Sequence, residues 1–552
     1  MKKQLLFCFV MVCFLGSCGV KKSLEDRPDL SGIVSVDTAR TKLAEDFYKV
    51  GNNSLRKNKE GLWEMYIEGE ALERGFAIGS LSRELLKKQE EALMNQVFTM
   101  VEKPGYRKFL SKIIAFYNRD LYTHVNEEYK AEIYGISRYN THKYNYFAKP
   151  YVRSLYLHGA HDIGHALQDL MLVGCTSFAA WDQKTSDGEL LIGRNFDFYA
   201  GDAFSEEKII AFINPQKGHK FMMYTWPGFV GVVSGMNNAG LTVTINAGKS
   251  KIPWKAKTPI ALLTREILQY AKTTQEAIAI ARNKEVFVSE AIMVGSSKER
   301  KAILIEVAPK NFGVYQVKNQ AKLVCSNHFQ SENLKDEARN LQTIENSHTL
   351  PRFDRMNQLL EKNDKITPQK AVKILRDRRG VDNKILGMGN ELAVNQMLAH
   401  HGVVFKPESN LAWVSSSPYQ MGAFVAYDIK KAFTEFENGD YSLKGIDSLK
   451  ISEDSFIHTQ DFQDYETYRK KVKLFKTVIN SEQSLQEEEI NTFRNLNPYF
   501  WETYYLIGHY YYAQKQYKKA IIHFKQALKR EVTTKNSVKQ LKKLIKKSYR
   551  KI

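Results

Sequence analysis

A cysteine that directly follows a glycine begins a strand-like run in the segment LVGCTSFAAWDQ. If the bond between Gly174 and Cys175 were cut, Cys175 would carry both a thiol and a free α-amine. An α-amine has a pKa of about 7.7 to 8 and can accept the thiol proton near neutral pH, whereas a lysine, at about 10.4, stays protonated. The pair predicts acyl transfer, in which the thiolate attacks a carbonyl and the acyl group then passes to water or another acceptor. Gly174 would let the thiol reach the preceding carbonyl in a tight, strained turn, as self-cleavage requires.

Five motifs follow one another along the chain in the order GCTSF, IGRNFDF, GMNNAGLTVTINAG, CSNHF and LPRFDR. The ordered set resembles the acyl-CoA:6-aminopenicillanic-acid acyltransferase family, whose members are self-processing N-terminal-nucleophile cysteine hydrolases related to penicillin V acylase and bile salt hydrolase. The upstream segment GEALERGFAIG is similar to the prosegment of that family. The resemblance extends over residues 69–429 and leaves the C-terminal region unexplained.

The first two motifs imply roles for three residues. The resemblance makes Cys175 the nucleophile and, after cleavage between Gly174 and Cys175, the new N-terminus. Arg194 and Asp197, three residues apart in RNFD, fall near the thiol and the amine respectively. A guanidinium beside sulfur favours the thiolate, and a carboxylate orients and stabilises an ammonium group. The structural alternative is an ordinary surface pair beyond a hairpin.

The later motifs imply the remaining catalytic residues. Asn246 and Asn327 would supply N–H donors to the oxyanion, and one such donor contributes about 3 kcal/mol in a transition state. Arg352 would brace the site by salt bridges, although Arg355 lies close enough in sequence to be an alternative. Read structurally, the asparagines belong to turns or to a strand end. Cys325 receives no role: it either approaches the pocket or is a buried small hydrophobe.

A rival site lies just upstream, in LHGAHDIGHALQDL. Four polar side chains share one face of a predicted helix there: His158, His161, Asp162 and His165. The two later histidines have zinc-ligand spacing, which keeps a metal-dependent hydrolase open as an alternative. We nevertheless predict no metal and no organic cofactor, because two glycines weaken this helix, the acid is shorter than glutamate, and no third ligand is evident. A Ser-His-Asp hydrolase is disfavoured because no G-x-S-x-G elbow occurs.

The N-terminal stretch MKKQLLFCFVMVCFLGSCGVKKS predicts export. Two lysines, a short apolar run and small residues are typical of a secretory signal and not of a membrane-spanning helix. Residues 15–18, LGSC, resemble the bacterial lipoprotein cleavage box, in which Cys18 becomes the lipidated first residue; an ordinary signal with a chance cysteine is the alternative. We expect a lipoprotein anchored at the outer membrane and facing the periplasm, with the inner membrane as the alternative.

The net charge of +20 invites a nucleic-acid interpretation, which its distribution does not support. Residues 529–552 contain ten Lys and Arg and one acid, so much of the excess lies on one terminal stretch. No zinc-finger spacing, RNA-binding aromatic motif or phosphate-binding glycine loop accompanies it. We predict no nucleic-acid partner and a solvated helix face, with attraction to anionic lipid head groups as the alternative.

Hydrophobic periodicity divides the chain into segments. These are a signal peptide (1–17), a polar tether (18–60), an α-rich prosegment (61–174), a catalytic domain (175–432) and a helical region (450–552). Within the catalytic segment, strand-like runs joined by turns such as Asp187-Gly188 alternate with paired helices. This pattern predicts an α+β fold of packed sheets with helices outside. The resemblance implies the four-layer αββα N-terminal-nucleophile hydrolase fold.

The C-terminal region resembles a tetratricopeptide (TPR) repeat in YYLIGHYYYAQKQYKKAIIHFKQALKRE. The matching positions are Leu506, Gly508, Tyr511, Tyr517, Ala520, Phe524 and Ala527. Since such units usually need at least three copies, a lone copy is either a helical cap or part of a groove for a protein partner.

Together these features predict an exported, self-activated enzyme that hydrolyses or transfers the acyl group of a linear amide, or of a thioester, through a Cys175 thioester. The alternative from another class is a TPR-type binding lipoprotein with an inert hydrolase-like domain. β-Lactams, bile conjugates, N-acyl amino acids and acyl-homoserine lactones all stay open as substrates. Five aromatic residues are candidates for an apolar acyl pocket or for core packing: Trp181, Phe196, Phe198, Tyr224 and Trp226.

Overall fold

The computed structural model describes residues 18–30, 36–101, 103–159, 174–249, 255–441, 443, 445–481 and 483–552. The predicted signal peptide therefore lies outside the described residues, and so do His161, Asp162 and His165 of the rival site. Gly174 and Cys175 lie inside them.

Seventeen strands of the described residues form two sheets. They are β1 (Thr41–Ala44), β2 (Phe47–Val50), β3 (Asn53–Lys57), β4 (Trp63–Gly69), β5 (Thr176–Asp182), β6 (Gly188–Phe196), β7 (Ile209–Pro215), β8 (Phe221–Thr225), β9 (Ser234–Asn237), β10 (Leu241–Ala247), β11 (Glu290–Ser296), β12 (Lys301–Val307), β13 (Phe312–Tyr315), β14 (Lys322–Cys325), β15 (His401–Lys406), β16 (Leu411–Ser415) and β17 (Phe424–Asp428). The larger sheet has the order β1-β2-β3-β4-β7-β8-β9-β10-β11-β12-β13, and the smaller one has the order β14-β5-β6-β15-β16-β17.

Seventeen α-helices of the described residues cover these sheets or follow them. They are α1 (Cys18–Glu25), α2 (Ala71–Leu81), α3 (Arg83–Met100), α4 (Pro104–Tyr117), α5 (Glu127–Ser137), α6 (Pro150–His158), α7 (Ile260–Tyr270), α8 (Thr274–Arg282), α9 (Ala338–Asn346), α10 (Thr349–Lys362), α11 (Pro368–Leu375), α12 (Ile429–Glu437), α13 (Gln460–Ile479), α14 (Glu487–Leu496), α15 (Trp501–Ala513), α16 (Tyr517–Leu528) and α17 (Lys535–Tyr549). Over the part of the chain that the structure describes, no helix has both the length and the apolar character needed to cross a bilayer.

The two sheets face each other, and helices pack on both outer surfaces. Strand β5 shows why, because its successive side chains alternate between faces. Ala179 and Trp181 belong to the apolar core between the sheets, which also holds Ile210 of β7. Phe178 and Ala180 belong to the core shared with α10 and α11. On the far side of the larger sheet, a third core joins its strands to helices α2, α5 and α7. The predicted α+β fold with αββα layers is thus confirmed.

The predicted tether over residues 18–60 is wrong for much of that segment. Residues 18–25 form α1, and strands β1, β2 and β3 make an antiparallel meander that joins β4. Polar residues hide these strands in the sequence because β1 is an exposed edge strand and only a few side chains, such as Val50 and Leu55, are buried.

The segment before Cys175 is built into the catalytic fold. Its strand β4 pairs in parallel with β7 over seven residue pairs, from Trp63 with Ile209 to Gly69 with Pro215. Helices α2 to α6 pack on the outer face of the same sheet. The predicted prosegment, residues 61–174, is therefore helix-rich where the structure describes it, but it also supplies strand β4 of the larger sheet.

The helical C-terminal region predicted over residues 450–552 is confirmed as helical, with its first α-helix beginning at Gln460; we call residues 460–552 the C-terminal extension. Its five helices share an aromatic core in which Phe475 stacks on Phe493 with their ring centroids 4.0 Å apart. Helices α15 and α16 pack closely because Gly508 leaves room for the ring of Phe524. This core also includes Met397 and Met421 of the catalytic domain, so the extension is docked onto that domain.

Candidate active site

Cys175 lies directly before β5, the second strand of the smaller sheet, and is only 1% exposed. The following strand positions Ser177 opposite Arg194 of the neighbouring strand β6. Ser177 and Arg194 both reach across to the larger sheet: Ser177 Oγ donates to Asn246 Oδ1 at 2.6 Å, and Arg194 donates to Ile245 O at 2.5 Å. The thiol therefore lies where the two sheets meet.

Arg194 lies beside the thiol, as predicted. Its Nη2 is 3.6 Å from Cys175 Sγ, and its Nη1 donates to Ser234 Oγ at 2.6 Å. Ser234 Oγ in turn lies 2.9 Å from Nε2 of His401. Because an arginine can only donate, Ser234 Oγ accepts from Arg194 and donates its own proton to His401. Ser234 and His401, which belong to none of the motifs recognised in the sequence, thus hold the guanidinium in place.

Burial governs the acidity of the thiol in the uncut chain. It raises the pKa of Cys175 to about 11, against an opposing effect of Arg194, and the nearby Asp197 raises it further. The arginine favours the thiolate as expected, but its effect is smaller than the loss of hydration. The uncut thiol is consequently neutral near pH 7.

Asp197 is fully buried on the loop after β6. Burial raises its pKa to about 7, although Arg352 and Arg194 favour the carboxylate. Neither carboxylate oxygen has a hydrogen-bond partner among the described residues. The backbone of Asp197 contributes as well, since its carbonyl oxygen accepts from Gly174 N at 3.1 Å. A buried carboxylate without donors is a ready partner for a new ammonium group nearby.

Arg352, on helix α10, holds the backbone on both sides of the Gly174–Cys175 bond. Its Nη1 lies 2.7 Å from Gly174 O, Cys175 O and Thr176 Oγ1, and its Nη2 donates to Asn327 Oδ1 at 2.7 Å. The contacts to these residues are hydrogen bonds, where the sequence suggested salt bridges. Arg355 instead pairs with Asp377 at 2.8 Å. The geometry therefore selects Arg352 over Arg355 for the site.

Gln396 is a site residue that the sequence did not reveal. Its Nε2 donates to Gly174 O at 2.7 Å, so the carbonyl oxygen of Gly174 accepts from both Gln396 and Arg352. A Cβ on residue 174 would lie 2.4 Å from Gln396 Nε2. Gly174 is not among the residues with a left-handed φ, so its backbone gives no sign of strain at the predicted turn. Glycine is needed here so that the glutamine can approach.

Asn246 and Asn327 flank the site at the ends of β10 and β14. Asn246 is fully buried and its Nδ2 donates to Cys325 O at 3.3 Å, while Nδ2 of Asn327 donates to Ala247 O at 3.0 Å. Each amide group has a second N–H. The structure gives Asn327 a direct link to Arg352 and gives neither asparagine a hydrogen bond to Cys175. Their role as oxyanion donors stays a prediction.

The predicted aromatic residues divide between two cores. Phe196, Phe198 and Trp226 share one apolar cluster with Cys175, and their rings stack with centroids 5.7 to 6.5 Å apart. Trp181 and Tyr224 belong instead to the core between the sheets. Phe196 is linked to the thiol through Arg194, whose guanidinium carbon lies 4.4 Å from the centre of the Phe196 ring.

His158 and Cys325 are buried side chains whose contacts are those of the protein core. His158 Nδ1 lies 2.8 Å from Ser154 O, and its Nε2 accepts from Val230 N at 3.0 Å, so both ring nitrogens are used. Burial lowers the pKa of His158 to about 4. No cluster of three or more potential metal ligands occurs within the described ranges. Cys325 is fully buried in the core between the sheets, as a small hydrophobe would be.

Two facing sheets, helices on both outer surfaces and a buried cysteine directly before β5 form the αββα layers that the motif resemblance implied. Residues 183–410 match the family described as Acyl-coenzyme A:6-aminopenicillanic acid acyl-transferase. The resemblance inferred from the motifs is thereby confirmed for this segment, which begins after Cys175 and ends before the C-terminal extension.

Comparison with known proteins gives partial matches. An uncharacterized protein of Archaeoglobus fulgidus is 32% identical over 157 residues, which are 27% of this chain and 26% of that relative. This chain therefore matches about a quarter of the length of that relative. Among solved structures, the Caenorhabditis elegans ortholog of N-acylethanolamine-hydrolyzing acid amidase is 20% identical, with a TM-score of 0.32, over 42% of this chain and 93% of its own. A mutant of conjugated bile acid hydrolase from Clostridium perfringens is 18% identical, with a TM-score of 0.31, over 47% and 93% respectively.

Proposed function

We propose that this protein is an N-terminal-nucleophile amidohydrolase or acyltransferase that activates itself by cutting between Gly174 and Cys175. One observation carries the proposal. At a single buried peptide bond, the carbonyl oxygen accepts two hydrogen bonds of 2.7 Å while the adjacent thiol lies 3.6 Å from a guanidinium. Attack of the thiol on that bond requires a carbonyl group fixed by hydrogen bonds and a positive charge that stabilises the thiolate, and both are present here.

Self-cleavage proceeds by transfer of the Gly174 acyl group from nitrogen to sulfur. Cys175 Sγ forms a bond to the carbonyl carbon of Gly174, the C–N bond breaks, and the thiol proton ends on the released α-amine. Water then hydrolyses the thioester, leaving Gly174 with a carboxylate and Cys175 with a free thiol and amine. The cut thus creates the base that the buried thiol lacks, because an α-amine titrates near neutral pH.

In the cut enzyme the same thiol acts on substrate. The α-amine takes the thiol proton, the thiolate attacks the acyl carbon, and the amine gives the proton to the leaving group. Asp197 is the group that stabilises the ammonium form, since its buried carboxylate oxygens have no hydrogen-bond donor among the residues that the structure describes. Asn246 and Asn327 are proposed to donate their second amide N–H to the oxyanion.

The substrate is proposed to be a linear amide or thioester with an apolar acyl group. The support is the ring of Phe196, whose centre lies 4.4 Å from the guanidinium carbon of Arg194 beside the reacting sulfur. Phe198 and Trp226 stack on this ring and extend the apolar surface.

The two products of the cut are proposed to stay together. Strand β4 belongs to the fragment before Cys175 and pairs with β7 of the fragment after it, and the cores on both sides of this sheet contain residues from both fragments. Separating them would expose a sheet edge and a large apolar surface, which is strongly unfavourable in water.

The test compares the wild-type protein with Cys175→Ala. Wild type should yield two fragments that copurify, the second beginning at Cys175, and should release product from a panel of N-acyl amides that differ in acyl length. Cys175→Ala should stay one chain and be inactive. An uncut wild-type protein that still hydrolyses an amide would refute the mechanism.

A lipid anchor on Cys18 is a separate proposal that rests on the lipoprotein-like box before it. Metabolic labelling with a fatty acid should mark wild type and not Cys18→Ser, and the labelled protein should fractionate with membranes. Equal labelling of both proteins would contradict it.

A further inference from the structure

The C-terminal extension lies outside the segment that matches the acyltransferase family, and its contacts suggest a use. It packs on residues 384–397, which we call the Gln396 loop. Asn497 of the extension makes two hydrogen bonds to the backbone of Met388, accepting from its N at 3.1 Å and donating to its O at 2.8 Å. Asn390 of the loop donates to Glu531 O at 3.0 Å.

Further contacts hold both halves of the loop. Thr533 Oγ1 donates to Glu391 Oε2 at 2.8 Å, and Lys384 forms an ion pair with Glu531 at 3.2 Å. A Cβ at Gly387 would lie 2.4 Å from the backbone nitrogen of Phe500, so the extension touches the loop backbone itself. These contacts leave the loop little freedom to move relative to the extension.

The loop ends where Gln396 reaches the reacting bond. Met397 is fully buried in the aromatic core of the extension, and its carbonyl oxygen accepts from Tyr465 Oη at 3.4 Å. On the other side, Asn395 N donates to Asp377 O at 2.8 Å. Gln396, held between these two neighbours and 1% exposed, donates to Gly174 O.

We propose that Gln396 is a catalytic residue of self-cleavage and that the C-terminal extension is the brace that positions it. The inference rests on the proposed self-cleavage between Gly174 and Cys175. As sulfur attacks, negative charge develops on the carbonyl oxygen of Gly174, and the N–H groups of Gln396 and Arg352 stabilise it there. No further reactant is needed, because the bond changes are those of the acyl shift described above.

The proposed role of Gln396 concerns self-cleavage and not the later reaction of the cut enzyme with substrate. Before the cut, Gln396 touches the oxygen of the bond that breaks; after the cut, that oxygen belongs to the leaving carboxylate of Gly174. Loss of the amide N–H should therefore slow the cut far more than it slows the chemistry of the cut enzyme.

The first experiment follows cleavage of freshly translated full-length precursor on gels. Gln396→Met keeps the side-chain volume and removes the donor, and it should lengthen the half-time about a hundredfold or more, the usual effect of losing one oxyanion donor. The control is Gln420→Ala, which removes a glutamine of equal burial whose Nε2 faces Leu375 O and not Gly174. It should be cut at the wild-type rate.

The second measurement is the rate at which iodoacetamide alkylates Cys175 in the cut form. In Gln396→Met that has been given time to mature, the alkylation rate should fall much less than the cleavage rate. An equal fall in alkylation and cleavage would overturn the proposal, because it would mean that the substitution disturbs the site as a whole.

The brace is tested by Asn497→Ala, which removes both hydrogen bonds to the Met388 backbone. It should slow cleavage about tenfold, while Tyr511→Phe, which loses contacts to Glu487 inside the extension, should not.

Cleavage of Asn497→Ala at the wild-type rate would refute the brace, and cleavage of Gln396→Met at that rate would refute the catalytic role. A wild-type chain that is never cut would refute the proposed function itself, so the failures are distinguishable.

Discussion

Replacing Arg194 with glutamine should slow self-cleavage by about a thousandfold. The guanidinium Nη2 lies 3.6 Å from Cys175 Sγ, and both groups are buried. At an effective dielectric constant of about 20, a charge pair at this distance is worth about 5 kcal/mol. Since 1.36 kcal/mol is tenfold in a protonation equilibrium, removing the positive charge should reduce the thiolate population about a thousandfold at any pH below the thiol pKa.

The assay follows freshly translated precursor at several pH values between 6 and 9.5. Wild type and Arg194→Gln should both cleave faster as pH rises, because the pKa of the buried thiol, about 11 in the wild type, lies above this range. Arg194→Lys keeps a positive charge and should recover part of the rate.

The matched control is Arg265→Gln, which also removes a buried arginine but breaks a salt bridge to Glu132, on the helices outside the larger sheet. It should leave the cleavage rate within a few-fold of wild type. Cleavage of Arg194→Gln within tenfold of wild type throughout this pH range would refute the electrostatic reasoning.

Three further results are expected. In the uncut Cys175→Ala protein, burial holds the pKa of Asp197 near 7, so the folded chain keeps a proton that the unfolded chain loses at an ordinary pKa of 3.8. The protonated Asp197 therefore contributes most to stability at low pH, and this contribution is lost as pH rises toward 7. Adding Asp197→Asn should flatten the fall in melting temperature between pH 5 and 8. Parallel curves of melting temperature against pH for the two proteins would contradict this. Gly174→Ala should be cut more slowly than wild type, because its Cβ would displace Gln396, and an unchanged half-time on gels would argue against the contact. Asn327→Ala should lower turnover of an N-acyl amide about a hundredfold in the cut enzyme, whereas Asn333→Ala, an exposed asparagine bonded to Phe312 O, should not.

Several features of the site were predictable because local pattern encodes them. The period-two alternation of β5 and β6, with a turn between them, is enough to bring Arg194 beside the residues that follow Cys175. The layered fold follows likewise from strands buried on both faces, which read as nearly continuous apolar runs.

Other features depended on contacts that no local pattern carries. Gln396 lies 222 residues from Gly174 and in no recognised motif, so only the docked loop reveals it. The sequence could not decide between Arg352 and Arg355, because they lie only three residues apart. The orientation of α10 decides it, since it brings Arg352 to Gly174 and Arg355 to Asp377. Strands β1 to β3 resemble a polar linker because they lie at the edge of a sheet. The thiol pKa could not be inferred either, since it is dominated by burial and not by the neighbouring arginine.

The central claim is that one peptide bond is cut so that a buried thiol gains an amine beside it. Intact mass and N-terminal sequencing of the purified wild-type protein test this most directly. We expect two masses whose larger component begins at Cys175, and a single uncut mass for Cys175→Ala. A continuous wild-type chain that hydrolyses amides would contradict the account.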